Sequence, residues 1–204
     1  MNDPTDHSSH RYGHLEHDYA EAFAEALCED EAFRDWVLFR TRFAEIRNTH
    51  VIRDEMHSLR KSSAAPWWKN YFTYSCDCFG CEGGRETDVF AVIEDEVGSR
   101  FALHVEVKQP TDRFDPAVEQ AKRYKMRAAC WAANAPPTVP AHSQACTLLL
   151  CSAAKLCVFA NEIGPFDLVI TFEEIARSFP NATPSVSPIA VELPVSRFSS
   201  GQRV

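Results

Sequence analysis

The chain has 204 residues, of which 45% are hydrophobic and 25% charged, and its formal net charge is -8. These proportions are those of a globular protein and predict one domain with a full core. No apolar stretch is long enough to cross a bilayer, so we expect no membrane-spanning helix. The polar N-terminus lacks the apolar core of a signal peptide, so we expect a cytoplasmic location.

Apolar residues recur at helical spacing in the first part of the chain. Residues 1–16 are polar and rich in histidine, and we expect them to be disordered. The spacing predicts a helix over 17–29 and one long helix or two over 31–60. The segment 62–66 contains helix-breaking residues, and the aromatic run at 67–74 is typical of a strand or a packed loop.

Two apolar strands are predicted on either side of a polar turn, over residues 86–93 and 101–108. Asp88 lies near the start of the first strand, and the second ends in Glu106, Val107 and Lys108. Because side chains alternate along a strand, Glu106 and Lys108 point to the same side, and a hairpin can bring Asp88 there too. Two carboxylates suit a hard divalent cation, and a nearby lysine suits an attacking water or a phosphate oxygen. The pattern therefore predicts metal-assisted hydrolysis of a phosphodiester.

The rest of the chain alternates between helices and strands. Asp115 and Pro116 are typical of a helix start, and that helix carries Gln120 and Tyr124 one turn apart on one face. Apolar runs predict buried strands at 146–151 and 166–170. A capping box predicts a short helix at 171–179. We expect one domain over 17–180 and a loose tail over 181–204, with a short strand at 189–193. The order of elements predicts an α/β fold, with a mixed sheet flanked by helices.

The ordered set of Asp strand, Glu-x-Lys strand and Gln-x-x-x-Tyr helix resembles the PD-(D/E)XK nuclease superfamily, which has a restriction-endonuclease-like core. The helix is similar to that of the RecB-like and lambda-exonuclease-like branch, where it follows the Glu-x-Lys strand directly. The resemblance covers residues 86–127. It differs in having Thr87 where the family motif has proline.

The resemblance implies a role for each matching residue. Asp88 and Glu106 would bind Mg²⁺ or Mn²⁺, with the Val107 carbonyl as a third ligand. Lys108 would orient or activate the attacking water, while Gln120 and Tyr124 would hold the substrate backbone or position Lys108. Glu86, two residues before Asp88, is a further ligand candidate. Many relatives also use an acid from an upstream helix, and the sequence does not decide between Glu45 and Glu55 for that position.

The resemblance also implies a function. It predicts a metal-dependent nuclease whose partner is nucleic acid, most often DNA in this superfamily, acting in restriction, defence or mobile-element processing. Relatives often work as oligomers or with a partner subunit, and the sequence does not decide this. The acidic net charge counts against nucleic-acid binding unless basic residues cluster near the site. Two such clusters are candidates for a basic rim, at 34–61 and 122–127.

Other interpretations of the same residues stay open at this stage. Cys76, Cys78 and Cys81 lie within six residues and could hold a structural Zn²⁺ with a fourth ligand from elsewhere, or could form a loop without metal. The alternative function is a non-catalytic module that binds nucleic acid or protein on a nuclease-like fold, with or without that zinc. On the simplest interpretation, Glu106 and Lys108 would be an exposed cross-strand charge pair, and Gln120 and Tyr124 would be ordinary surface residues of a helix.

Overall fold

The computed structural model describes residues 7–60, 65–69, 71–72, 86–114 and 119–184. Its helices are α1 (His7–Glu29), α2 (Glu31–Leu38), α3 (Arg53–Ser58), α4 (Gln120–Ala133) and α5 (Phe172–Ser178). Its strands are β1 (His50–Val51), β2 (Tyr71–Phe72), β3 (Glu86–Thr87), β4 (Val89–Glu94), β5 (Arg100–Lys108), β6 (Gln144–Cys151) and β7 (Leu168–Thr171). The predicted mixed sheet flanked by helices is confirmed.

The main sheet has five strands in the order β1-β4-β5-β6-β7, so β5 is central. β4 and β5 form the predicted hairpin, in which Val89 lies opposite Val105. β5, β6 and β7 run parallel, with Lys108 opposite Cys151 and Cys151 opposite Thr171. The carboxyl ends of these three strands therefore meet at one edge of the sheet, which is where ligands bind in many sheets with parallel strands.

Residues 31–60, predicted as one long helix or two, fold instead into α2, a turn, β1 and α3. Thr41 explains the break after α2. Its hydroxyl donates a hydrogen bond to the Leu38 carbonyl at 2.8 Å and accepts one from the Phe43 N–H at 3.0 Å, which diverts the backbone from the helical pattern. Asn48 then adopts a left-handed backbone conformation, with a φ of 53°, before β1 joins the sheet beside β4.

Several local predictions are confirmed at the C-terminal half of the sheet. β6 is buried from Ala145 onward, as its continuous apolar run predicted. The capping box begins α5: the Thr171 side chain accepts a hydrogen bond from the Glu174 N–H, and the Glu174 carboxylate accepts one from the Thr171 N–H. α1 begins at His7, ahead of the predicted start at residue 17. The predicted helix start at Asp115 and the strand at 189–193 lie outside the described residues.

α4 packs on the sheet face toward which the even-numbered residues of β5 point. Trp131, near the end of α4, lies against Phe90 and His104, with ring centroids 5.3 Å apart in each case. Because Gln120 begins the same helix, this packing carries it to the carboxyl end of β5. Among the helices of the described chain, none is both long and apolar enough to cross a membrane.

Candidate active site

Asp88 lies at the bend where the chain leaves β3 and enters β4. β3 pairs with β2, whereas β4 pairs with β5, so the chain changes partner at this residue. Backbone pairing with β5 stops at Val105, and the Asp88 carboxylate takes over by accepting the Val107 N–H at 2.8 Å. The side chain thereby satisfies a backbone donor that the strand ladder leaves open, and it is held beside the end of β5.

Glu106 and Lys108 lie on the same face of β5, as the alternation of side chains predicted. Their side chains form an ion pair between Lys108 Nζ and Glu106 Oε1, and these side chains are only 10% and 1% exposed. The exposed cross-strand pair of the alternative interpretation is therefore wrong, because the pair is buried. Removing one partner of a buried ion pair strongly lowers the free energy of unfolding, whereas replacing both partners with apolar residues often does not. Stability alone therefore does not explain a buried ion pair in a central strand, which suggests a further role.

Gln120 and Tyr124 contact the acids and their strand. Gln120 Nε2 donates a hydrogen bond to Glu106 Oε1 at 2.6 Å. The buried Tyr124 hydroxyl accepts the Asp88 N–H at 3.3 Å and donates to the Val105 carbonyl at 3.4 Å. Gln120 therefore positions the Glu106 carboxylate and Tyr124 positions the backbone of Asp88, and neither contact was predicted from the sequence.

Burial and like charge shape the protonation of this site. Burial raises the pKa of Asp88 well above its ordinary value, and the neighbouring Glu106 and Glu16 carboxylates raise it further. Burial lowers the pKa of Lys108, but the Glu106 and Asp88 carboxylates outweigh this effect and raise it overall. Lys108 is therefore an ammonium ion at neutral pH, which suits it to donate hydrogen bonds and to stabilise negative charge rather than to accept a proton.

The upstream acid beside this site is Glu16 of α1, which the sequence analysis missed. Burial raises the pKa of Glu16, and its carboxylate interacts electrostatically with Asp112, Lys108 and Glu106. Asp112 belongs to the loop that follows β5, where it accepts hydrogen bonds from the Gln109 N–H and side-chain amide at 3.1 and 2.9 Å.

Neither acid that the sequence proposed for this role lies at the site. Glu55 accepts hydrogen bonds from Arg100 at 2.9 and 2.8 Å, and Arg100 begins β5. At a strand rise of about 3.3 Å, that position is roughly 26 Å from Lys108. Glu45 is exposed in the turn whose Phe43 ring stacks on Phe101, also at the start of β5.

The two remaining ligand candidates are the Val107 carbonyl and the Glu86 carboxylate. The Val107 carbonyl is directed toward the Asp88 side of β5, because the N–H and C=O of one strand residue share a side and the N–H bonds to Asp88. Glu86 lies in β3, where its carbonyl accepts a hydrogen bond from Arg127, and a role for its carboxylate stays a prediction. Cys76, Cys78 and Cys81 lie outside the described residues, and so does any zinc site that they form.

Three of the six arginines in the first predicted basic cluster contact groups away from this site. The buried Arg34 donates to the Leu27 and Cys28 carbonyls, Arg42 donates to the Ala145 carbonyl at the start of β6, and Arg53 pairs with Glu29. These contacts stabilise the far ends of α1 and β6.

In the second cluster Arg127 is buried against Tyr124, while the exposed Lys122 and Lys125 pair with Glu119 and Asp167.

The donor groups fit a hard divalent cation. Glu106 Oε2 is buried and has no hydrogen-bond partner among the described residues, whereas Oε1 has two. An orphaned carboxylate oxygen beside Asp88 is the kind of group that a cation would complement. Within the described part of the chain, no three His, Cys, Asp or Glu side chains form a ready metal cluster. Mg²⁺ needs only one or two carboxylates, because it keeps several of its waters.

Comparison with known proteins gave no match for this chain among protein-family models, curated protein sequences or solved structures.

Proposed function

We propose that this protein is a metal-dependent nuclease that hydrolyses phosphodiester bonds, with Mg²⁺ or Mn²⁺ held by Asp88, Glu106 and the Val107 carbonyl. The observation that carries the proposal is the buried Glu106–Lys108 pair with an orphaned Glu106 oxygen, beside Asp88 at the end of a central strand. The choice of DNA over RNA, and of a restriction-endonuclease-like core, comes from the resemblance to PD-(D/E)XK nucleases.

The metal would polarise the scissile phosphate and lower the pKa of a bound water. The protein's own groups then have distinct tasks. Lys108, held as an ammonium ion, donates a hydrogen bond to the phosphate or to the attacking water and stabilises the charge that develops there. Gln120 fixes Glu106 through Oε1, which leaves Oε2 for the cation, and Tyr124 fixes the backbone of Asp88. We therefore treat Gln120 and Tyr124 as positioning residues.

Glu16 is the third carboxylate of the proposed site. Its electrostatic contact with Asp88, Glu106 and Lys108 supports a role in holding the cation or a water bound to it. The variant Glu16→Gln is expected to require more metal for half-maximal cleavage than the wild type.

The test is cleavage of plasmid and linear DNA with Mg²⁺, with Mn²⁺ and with EDTA. Wild type would be compared with Asp88→Asn and Lys108→Met, and with Asp54→Asn as the matched control, because Asp54 is a fully exposed aspartate on α3. We expect metal-dependent cutting by wild type and by the control, and a loss of at least about 100-fold in the two site variants.

Two results would contradict the proposal. Cutting that survives both site substitutions would mean that the activity comes from elsewhere. A wild type that neither cuts nor binds Mg²⁺ or Mn²⁺ by isothermal titration calorimetry would favour the alternative, a binding module that has kept the side chains without the chemistry. Cutting of RNA but not DNA would keep the reaction and correct the substrate.

A further inference from the structure

Two basic side chains meet beside the candidate active site and have no role in the mechanism above. Lys69 Nζ lies 3.4 Å from Nδ1 of His17. The His17 ring packs against the buried Trp68 ring, with centroids 5.3 Å apart. The backbone of Lys69 is fixed as well: its N–H donates to the Pro66 carbonyl at 3.2 Å, and its carbonyl accepts a hydrogen bond from Arg60. Both groups are therefore held in place by packing and backbone contacts.

The chemistry of this contact leaves the pair with hydrogen-bond donors only. An ammonium ion has no acceptor, so at hydrogen-bond distance the imidazole must present the lone pair of Nδ1 to Lys69 and carry its proton on Nε2. The pair then offers the remaining N–H groups of Lys69 and the Nε2–H of His17. Two donors of this kind are complementary to an oxyanion with two free oxygens, and a phosphodiester has two non-bridging oxygens.

The pair is placed next to the proposed metal ligands. His17 follows Glu16 in α1, and the Glu16 carboxylate interacts electrostatically with both Lys69 and Lys108. Among the described contacts, the Lys69 ammonium bonds to the imidazole and not to a carboxylate. In this it differs from Lys122, Lys125 and Arg53, each of which lies within ion-pair distance of an acid.

We propose that Lys69 and His17 form a phosphodiester-binding subsite, which takes the sugar–phosphate backbone of a nucleic-acid strand at a phosphate next to the one that is cleaved. The inference rests on the proposed nuclease function. In a protein with a net charge of -8, each phosphate contact has to be supplied locally, and a lysine whose described hydrogen bond goes to an imidazole rather than to an acid is well suited to supply it.

The test measures binding of a short fluorescein-labelled DNA strand by fluorescence anisotropy, in EDTA and in Ca²⁺, over a series of salt concentrations. The variant Lys69→Gln removes the charge and keeps most of the side-chain length. The control Arg177→Gln removes one charge from an exposed position on α5. Lys69→Gln is expected to bind about 3- to 10-fold more weakly and to lower the salt slope by about 0.7, which is the effect of one phosphate contact to a single strand. Lys69→Arg should restore the slope.

Each outcome decides the matter. If Lys69→Gln binds with the wild-type affinity and slope, or loses no more than Arg177→Gln, the subsite does not exist. If binding is weakened but Lys69→Arg fails to restore it, the side chain acts through local structure and the inference fails. The anisotropy assay measures binding without cleavage. If the wild type never cuts DNA but its salt slope depends on Lys69, the subsite proposal is supported and the nuclease proposal is refuted. Cutting with a Lys69-independent slope would do the reverse.

Discussion

Replacing Asp88 with asparagine should stabilise the protein in the absence of metal and abolish its stabilisation by metal. Asparagine can keep the hydrogen bond from the Val107 N–H, because its side-chain oxygen can occupy the position of Asp88 Oδ2. It cannot carry the charge. Burial and the Glu106 and Glu16 carboxylates raise the pKa of Asp88, so together they outweigh the stabilising effects of Lys108 and the Val107 N–H on its ionised form. The wild type therefore loses stability as the pH rises above the ordinary aspartate pKa, because the unfolded chain then releases a proton that folded Asp88 retains.

The magnitude follows from two opposing effects. Exchanging a charged acceptor for a neutral one costs about 1 kcal/mol in the bond to Val107. Removing the ionised, poorly solvated carboxylate gains more, and stabilising substitutions commonly yield about 0.5–2 kcal/mol net. For a chain of this length that gain raises the melting temperature by about 2–4 °C for each kcal/mol. The sign is fixed by pH: the penalty of ionised Asp88 develops as the pH rises above the unfolded value of about 3.9, so the advantage of asparagine should be present at pH 8 and vanish toward pH 4.

The assay is urea denaturation at pH 8, in EDTA and in Mn²⁺, with Asp54→Asn as the control. Manganese at about 100 times its dissociation constant should stabilise the wild type by about 2.7 kcal/mol and leave Asp88→Asn nearly unchanged. The two unfolding curves should therefore exchange their order when metal is added. An Asp88→Asn protein that is less stable than wild type in EDTA, or that gains as much from Mn²⁺, would refute the reasoning about this carboxylate.

Three further predictions concern the neighbours of Asp88 and the core behind it. Lys108→Met leaves Glu106 buried without its partner and should cost about 3–5 kcal/mol in urea denaturation at pH 8, most of which the double variant with Glu106→Gln should recover. Tyr124→Phe removes the hydroxyl that bridges the Asp88 N–H and the Val105 carbonyl and should cost about 1–3 kcal/mol by the same measurement, or near zero if that bridge is not made. Burial lowers the pKa of His104, so the folded wild type should lose stability as the pH falls below about 6.5, because only the unfolded chain takes up the proton there. Relative to wild type, His104→Phe should gain up to about 1.4 kcal/mol in the free energy of unfolding per pH unit below that value. A stability difference that stays constant from pH 8 to pH 5.5 would contradict this prediction.

The parts of the site that could be predicted from the sequence are those fixed by local periodicity. Glu106 and Lys108 share a face because a strand repeats every two residues, and Gln120 and Tyr124 share a face because a helix nearly repeats every four. Asp88 followed from the hairpin. The contact of Gln120 with Glu106 did not follow, because it depends on how α4 packs on the sheet, and residues as far along the helix as the buried Trp131 contribute to that packing.

Glu16 was missed because its place depends on the packing of α1. One signal was present in the sequence: residues 16, 20, 23 and 27 share a helix face, and Ala20, Phe23 and Leu27 are all buried. Glu16 continues this apolar face of α1, and a carboxylate in such a position is uncommon unless it has a partner or a function. The arginine-rich segment at 34–61 was predicted as part of a basic rim around the site, but charge density alone does not show where each arginine points. The density of positive charge does not distinguish a side chain that donates to buried carbonyls, as Arg34 does, from one that faces a ligand.

In the proposed nuclease, the distribution of charge would couple substrate binding to metal binding. Three carboxylates, from Asp88, Glu106 and Glu16, interact electrostatically with the ammonium of Lys108 at the end of β5. A phosphodiester approaching this group without a cation would meet a net negative field. A bound divalent ion would be the largest local charge and would reverse the sign of that field. Because such coupling is reciprocal, nucleic acid that binds more tightly in the presence of metal must also tighten the binding of metal. An acidic protein can therefore bind nucleic acid at one place without being basic overall.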